Sequence, residues 1–467
     1  MALFVLLTLG AVATLSALGN WRSGLIWMLV IAAVQDPLRK LVPGAPGSLL
    51  LIVIPVFLAT GFGLISARRH VWLGFQSSFP AVARSLGWFV VACLPAALLS
   101  LTYGPGSWAF TAFGVLSYGI ILSSILIGFY YLRSERELRR LLAIYCLITA
   151  VALTGTFLEY FKVDALADIV GTKALDFDWI RYGSGYTVQL LAGFYRSPDV
   201  MGWHAAAAAM LSLVLVFAGR DPGRWRWLAV TGIAIAALAV SGRRKMVYML
   251  PFFLLMVVLL ILQSRKRGLD LQSLVLLALP LLIAFSVGNW LGAESEFVRY
   301  YTDNPNDVAV QAQRHGWEAV IGTFQQTGFW GSGLGFATPG AQNIPFPRPR
   351  VWQESGMSRL MVELGVPGLL MMLVFIGNLL MAGLRSARWQ FAAHAPFGRY
   401  SIALLAFVLA NIASLAISGQ ILADPFIACF IGLMMGMQLS LTRLAWRLRA
   451  AEPVMDGPPQ AAIAAAS

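Results

Sequence analysis

Charge is what this chain has least of. Of 467 residues only 12% are charged, against 59% hydrophobic, and the mean hydropathy is +0.75. A soluble domain carries about 25% charged residues, so the deficit excludes an ordinary water-soluble globule. Histidine is nearly absent: there are four, and none is paired at ligand spacing, so no metal centre and no cofactor is expected. The three cysteines, Cys93, Cys146 and Cys429, all fall in apolar runs, which excludes a disulfide framework outside a membrane. Acidic residues are also few, 21 against 34 basic, for a net charge of +13. Basic residues interleaved with polar and aromatic ones on a soluble surface are lacking, so the excess does not point to nucleic acid. No basic residue precedes the apolar run Leu3 to Leu18, since the first is Arg22. A secretory signal needs that leading charge, so the run is expected to be a first membrane span.

What the chain does have is repeated apolar segments. They fall at about 2–19, 23–34, 48–66, 86–103, 108–132, 141–161, 200–218, 227–241, 246–262, 272–291, 358–384, 400–417 and 425–442. Each reads as a helical span, the second and eighth being short. The runs are continuously apolar rather than alternating, which excludes a β-barrel. The expected fold is an all-α polytopic membrane protein with about 12–14 transmembrane helices in one domain over residues 1–450. Residues 451–467 are expected to form a disordered cytoplasmic tail.

The positions of lysine and arginine orient the spans. One set of loops holds Arg22; Arg68, Arg69 and Arg84; Arg133, Arg136, Arg139 and Arg140; Arg220, Arg224 and Arg226; Arg265, Lys266 and Arg267; Arg385, Arg388 and Arg399; and Arg443, Arg447 and Arg449. By the positive-inside rule this set is cytoplasmic, and topology accounts for the net charge. The short loops between them hold almost none, apart from Arg39 and Lys40 near Asp36. Two long loops, 162–199 and 292–357, then fall on the outer face, where long loops usually carry function. The second contains an amphipathic segment from Val308 to Phe324 and is expected to form a small helical cap over the outer ends of the bundle.

Arg243, Arg244 and Lys245 break the sidedness rule. They lie in a tight outer turn between two spans, where guanidinium groups and the free N–H groups opening a helix both favour an anion. Snorkelling to headgroups, or pinning the turn, is the plainer account. Three cations against the rule favour a lipid-diphosphate site. A second basic candidate is Arg314, within Gln311 to Glu318. It is followed by the glycine-rich run Gly328 to Gly335, which offers backbone amides to a phosphate but lacks the Lys-Ser/Thr of a nucleotide loop. The alternative there is a flexible turn beside a solvated helix face. His315 reads as a structural or solvated histidine rather than a metal ligand.

These residues resemble a family. Arg314, Trp317 and Gly331-x-Gly333-x-Gly335 in a large outer loop, followed by Glu354-Ser355 and on through Glu363, Gly365 and Gly368, are similar to the signature of the bacterial O-antigen ligase and polysaccharide polymerase superfamily. Gly193 to Asp199 at the start of one span, and Ser241-Gly242-Arg243 at the end of another, resemble two further landmarks. The resemblance covers residues 190–370. It implies a metal-independent glycosyltransferase of the bacterial inner membrane, GT-C-like in architecture, with its active site facing the periplasm. Such an enzyme moves a glycan from undecaprenyl diphosphate to lipid A core or to another lipid-linked glycan. Arg196, Arg243 and Arg314 match the diphosphate-binding arginines. Glu354-Ser355 stands where ligases carry His-Asn, a departure that favours a polymerase of exopolysaccharide, capsule or O-antigen repeats. The partners implied are an undecaprenyl diphosphate-linked oligosaccharide, membrane lipids and a chain-length regulator.

The chemistry asks for the same residue types. A diphosphate leaving group gains charge that arginine stabilises, and a carboxylate can deprotonate the incoming hydroxyl. Glu354 is the candidate base and Arg314 its catalytic partner, with His315, Arg348 and Arg350 as candidate glycan or phosphate contacts. Glu354 read as a surface carboxylate paired with Arg350 or Arg359 stays open beside this. Glu363, four residues after Arg359, suits a structural ion pair. Asp176 and Asp178 form a rival D-x-D metal plan. A transporter of lipid-linked glycans would place ionisable groups near the midplane and show repeats, neither of which is evident. A scaffold subunit gives no reason for the outer basic triplet.

Overall fold

The computed structural model describes residues 1–175, 178–183, 185–219, 222–264, 271–292, 295–302, 310, 313–338, 341, 355–392, 397–417, 419 and 424–451. Its described residues form sixteen α-helices: α1 (Ala2–Gly19), α2 (Trp21–Lys40), α3 (Val53–Ala67), α4 (Val71–Ser78), α5 (Pro80–Leu101), α6 (Trp108–Tyr131), α7 (Glu135–Tyr160), α8 (Pro198–Ala218), α9 (Trp227–Ala239), α10 (Arg244–Ser264), α11 (Leu271–Leu291), α12 (Glu296–Thr302), α13 (Ala319–Thr327), α14 (Gly356–Ala392), α15 (Gly398–Ile417) and α16 (Pro425–Ala451). Ten helical segments are long and apolar enough to cross a membrane. The protein is therefore an all-α polytopic membrane protein. In lipid a helix satisfies every backbone group within its own segment, which is why unbroken apolar runs fold this way. The three other expected spans are present as α2, which carries charge at both ends, α9, and α11. α2 is longer than its apolar stretch because Gln35, Asp36, Arg39 and Lys40 are buried by protein rather than left at a water boundary.

α8 is the axis of the bundle. All of its residues are buried, and the run Ala205 to Ala209 lets neighbours approach closely. Pro198 occupies its first turn, and Ser197 caps it by accepting from the Val200 N–H at 3.3 Å. α16 packs on α6 through Gly432 and Gly436, a G-x-x-x-G pair on one face. A Cβ at Gly432 would lie 1.9 Å from Ser124 Oγ, and one at Gly436 would lie 2.1 Å from the Ile125 carbonyl.

Contacts between helix ends sort the loops into two faces. On one, Arg22 meets Glu137 at 2.9 Å, Arg443 donates to the Phe129 and Leu132 carbonyls, Arg399 reaches the Phe217 carbonyl and Arg388 meets Gln263. These belong to the arginine-rich loops. On the other, the α2 end, the 162–197 loop, the α9–α10 turn and the start of α16 come together. The grouping is the one that lysine and arginine positions gave.

The outer segments differ from a purely helical expectation. Residues 180–189 form a two-stranded antiparallel hairpin, β1 (Ile180–Gly183) and β2 (Tyr186–Gln189), with Arg181 opposite Val188. In residues 292–357 the cap is only part of the story. α12, a π-helical turn at Arg314–Glu318 and α13 are helical, but the glycine-rich run goes inward between α5, α6 and α14. Its Leu334 N–H donates to the Ala96 carbonyl at 3.0 Å, and its Ser332 N–H donates to the Val362 carbonyl at 2.6 Å. Irregular backbone at that depth is tolerated because protein surrounds it.

Gly335 explains why the run is glycine-rich. Its φ is +88°, and a Cβ there would stand 1.8 Å from the Phe110 carbonyl oxygen. Gly335→Val should lower stability by on the order of 3 kcal/mol, from strained backbone plus overpacking. Thermal unfolding in detergent measures this, and an unaltered midpoint would mean the loop is not embedded.

Candidate functional site

The face away from the arginine-rich loops holds two charged clusters at the N-terminus of α8, three residues apart in sequence. The first centres on Arg196. Its guanidinium is paired with Asp36 Oδ2 at 3.3 Å and with Asp424 Oδ2, while its backbone N–H donates to Asp36 at 3.0 Å. Asp36 is 1% exposed and Asp424 4%. Burial alone would depress the arginine, but the two carboxylates hold it above its ordinary value. Burial likewise pushes Asp424 up; Arg196 and the Ile427 N–H, at 2.9 Å, outweigh it and hold it below the usual carboxylate range. Lys40 sits beside this group and donates to the Gly193, Tyr195 and Ile169 carbonyls at 2.9, 2.8 and 3.3 Å. Glu159 accepts from the Gly193 and Ala192 N–H groups at 2.6 and 2.8 Å. Arg196, expected at a diphosphate, is thus a brace joining α2, α8 and α16. Arg39 and Lys40, the exceptions to the sidedness rule, are buried and engaged by backbone carbonyls.

The second cluster is the basic triplet. Arg243 is 5% exposed and meets Asp199 Oδ2 at 2.7 Å; Lys245 meets Oδ1 of the same carboxylate at 3.2 Å. The Arg243 guanidinium lies over the Trp179 ring at 4.8 Å. Burial lowers it, Asp199 opposes that, and Arg181 adds to the lowering as a nearby like charge. Arg244 turns the other way, donating to the Tyr300 carbonyl and stacking over the Tyr300 ring at 4.2 Å. Of the amides in this turn, that of Arg243 is engaged: its N–H donates to Ser241 Oγ at 3.2 Å, and Gly242 stands at φ +64°.

Arg314 is exposed on the π-helical turn. His315 lies on the same turn. In α13 the buried residue is Thr323, while Ile321 and Phe324, and Trp317 on the preceding π-helical turn, are exposed. The glycine-rich run is a packing element rather than a phosphate cradle, with its N–H groups at Ser332 and Leu334 spent on helix carbonyls. Arg359 and Glu363 form the structural pair expected, at 3.3 Å, and more than a pair. Tyr118 donates to Glu363 at 2.6 Å and Thr338 at 2.8 Å, while Arg359 reaches Ser117 and Thr338. The network pins the end of the glycine-rich run to α14. Glu354, Arg348, Arg350 and Asp176 lie outside the described residues. Ser355, the next residue after Glu354, is buried and its Oγ accepts from the Ser358 N–H at 3.0 Å, capping α14. Asp178 is exposed, and no group of three or more potential metal ligands is found among the described residues.

Reasoning from sequence missed Asp36, Asp199 and Trp179 as parts of these clusters. A signal existed: a carboxylate at the end of an apolar span is costly unless a cation meets it. Compared with protein-family models and with curated proteins, the chain matches none.

Arg196→Met should cost about 3–5 kcal/mol, because it leaves buried Asp424 without its cation and Asp36 with only the more distant Arg39. Arg314→Ala, at an exposed site, should stay within about 0.5 kcal/mol of the parent. Thermal unfolding of both variants in one detergent makes the comparison. Asp424 has a folded value below its unfolded one, so its contribution is present above the unfolded value of about 4 and is lost as pH falls through the folded value. Asp424→Asn should flatten that acid limb, and an unchanged limb would assign it to another carboxylate.

Proposed function

We propose that this protein is a polysaccharide polymerase that transfers a glycan from undecaprenyl diphosphate to a lipid-linked or growing glycan acceptor at the periplasmic face of a bacterial inner membrane. The observation that carries the reading is the placement of Arg243 and Lys245. Both are drawn onto one carboxylate, at the face away from the arginine-rich loops and beneath the 162–197 loop. Two cations share one carboxylate here, and the buried Nε of Arg243 has no hydrogen-bond partner among the described residues.

The chemistry follows from the charges. As the glycosyl–oxygen bond breaks, negative charge grows on the diphosphate, and preorganised cationic donors stabilise it by about 3–4 kcal/mol each. Arg243 and Lys245 are those donors. Arg244, turned to Tyr300, orders the turn they stand on. Glu354, one residue before the α14 cap, takes the proton of the acceptor hydroxyl in this scheme, with Arg314, His315, Arg348 and Arg350 along the acceptor path. The resemblance to the ligase and polymerase superfamily supports the reading, and the absence of a His-Asn pair at Glu354-Ser355 favours polymerase over lipid A core ligase. A transporter of the same lipid is less well supported, since Glu363, the acidic residue in the interior of a described span, is locked by Arg359, Tyr118 and Thr338.

Purified protein given a lipid-linked repeat unit should yield a product ladder on a gel without added lipid A core. Arg243→Ala should reduce extension at least 100-fold with the protein still inserted and folded, and Glu354→Gln should lower turnover far more than donor binding. Product only in the presence of lipid A core would make the protein a ligase. Normal chain lengths from Arg243→Ala would remove the basis of the whole assignment.

A further inference from the structure

The hairpin contributes to the same site. The Leu190 N–H donates to the Trp179 carbonyl at 2.8 Å, which extends the β1–β2 ladder one pair beyond Ile180 and Gln189. Side chains alternate along a strand, so Trp179 and Arg181 lie on one face and Ile180 and Tyr182 on the other. The cross-strand partners settle which face is inward. Val188, opposite Arg181, is 0% exposed, and Leu190, opposite Trp179, is 1% exposed, whereas Ile180 and Tyr182 are exposed. The inward face rests on the α9–α10 turn: Trp179 lies under Arg243, and Leu190 fills the space beside Gly242, where a Cβ would stand 2.0 Å from its Cδ2. A two-residue step along a strand is about 6.6 Å, within the reach of an arginine side chain from Trp179. Arg299 of α12 lies over Tyr186 at 4.9 Å and clasps the far end of the same face.

We infer that Arg181 is a further binding residue of the diphosphate site, carried by a hairpin that roofs the Arg243–Lys245 pair. The inference rests on the function proposed above. Unlike Arg243, Arg181 is exposed, so it is the cation a ligand meets first from the aqueous side. Arg181 stands close enough to Arg243 and to Lys245 to act on both as a like charge, so the three cations share one place and suit an anion rather than a neutral glycan.

The test measures binding of farnesyl diphosphate, a short polyprenyl diphosphate, to the full chain in nanodiscs. Arg181→Ala should weaken binding about tenfold, Arg181→Glu more, and Arg181→Lys less, all with unaltered melting. Farnesyl monophosphate should bind the parent more weakly and lose less on the Arg181→Ala change. If Arg243→Ala abolishes binding while Arg181→Ala leaves it unchanged, the hairpin inference fails and the site stands. If neither change affects binding, the site itself is elsewhere.

Discussion

Three elements far apart in the chain meet at one guanidinium. Arg196 is held by Asp36 at the end of α2 and by Asp424 at the start of α16, and the N-terminus of α8, the most deeply buried helix, begins two residues later. Charges that have left water are stable only when matched in geometry as well as sign. That requirement fixes how the outer ends of α2, α8 and α16 stand against one another. The position of Asp199, one turn further on, depends on it, and Asp199 in turn collects Arg243 and Lys245.

The same logic separates two uses of arginine on this face. Where cations and carboxylates balance, the cluster holds the bundle together, as Arg39 and Arg196 do with Asp36 and Asp424, and Arg359 with Glu363. At the other cluster Arg243 and Lys245 share a single carboxylate, Asp199. Hydrophobic burial cannot make this distinction in a membrane, because lipid is as apolar as leucine; close packing through small residues and polar contacts does the discriminating. Gly432 and Gly436 supply the first, and the ion clusters supply the second.

The glycine-rich run shows how a motif can keep its residues and change its meaning. Gly331, Gly333 and Gly335 all have positive φ, as a phosphate loop would require. The N–H groups at Ser332 and Leu334, between these glycines, point to the Val362 and Ala96 carbonyls, and the freedom from side chains serves close approach to α5, α6 and α14. Composition makes a stretch capable of tight backbone approach; what approaches it is a matter of neighbours.

The sequence alone determined the solvent and the sides. Long apolar runs require helices that cross a bilayer, and the positions of lysine and arginine sort the loops into two groups, because both are properties of a segment on its own. The structural pair Arg359–Glu363 was legible for the same reason, four residues being one turn. Only the tertiary structure decided which charges neutralise which. Arg196 and Arg243 look alike in sequence, yet Asp36 and Asp424, 160 and 228 residues away, engage the one, while Asp199 and Trp179 surround the other. A Coulomb interaction depends on distance in space and on the burial of both partners, and neither quantity is written in the order of residues along a chain.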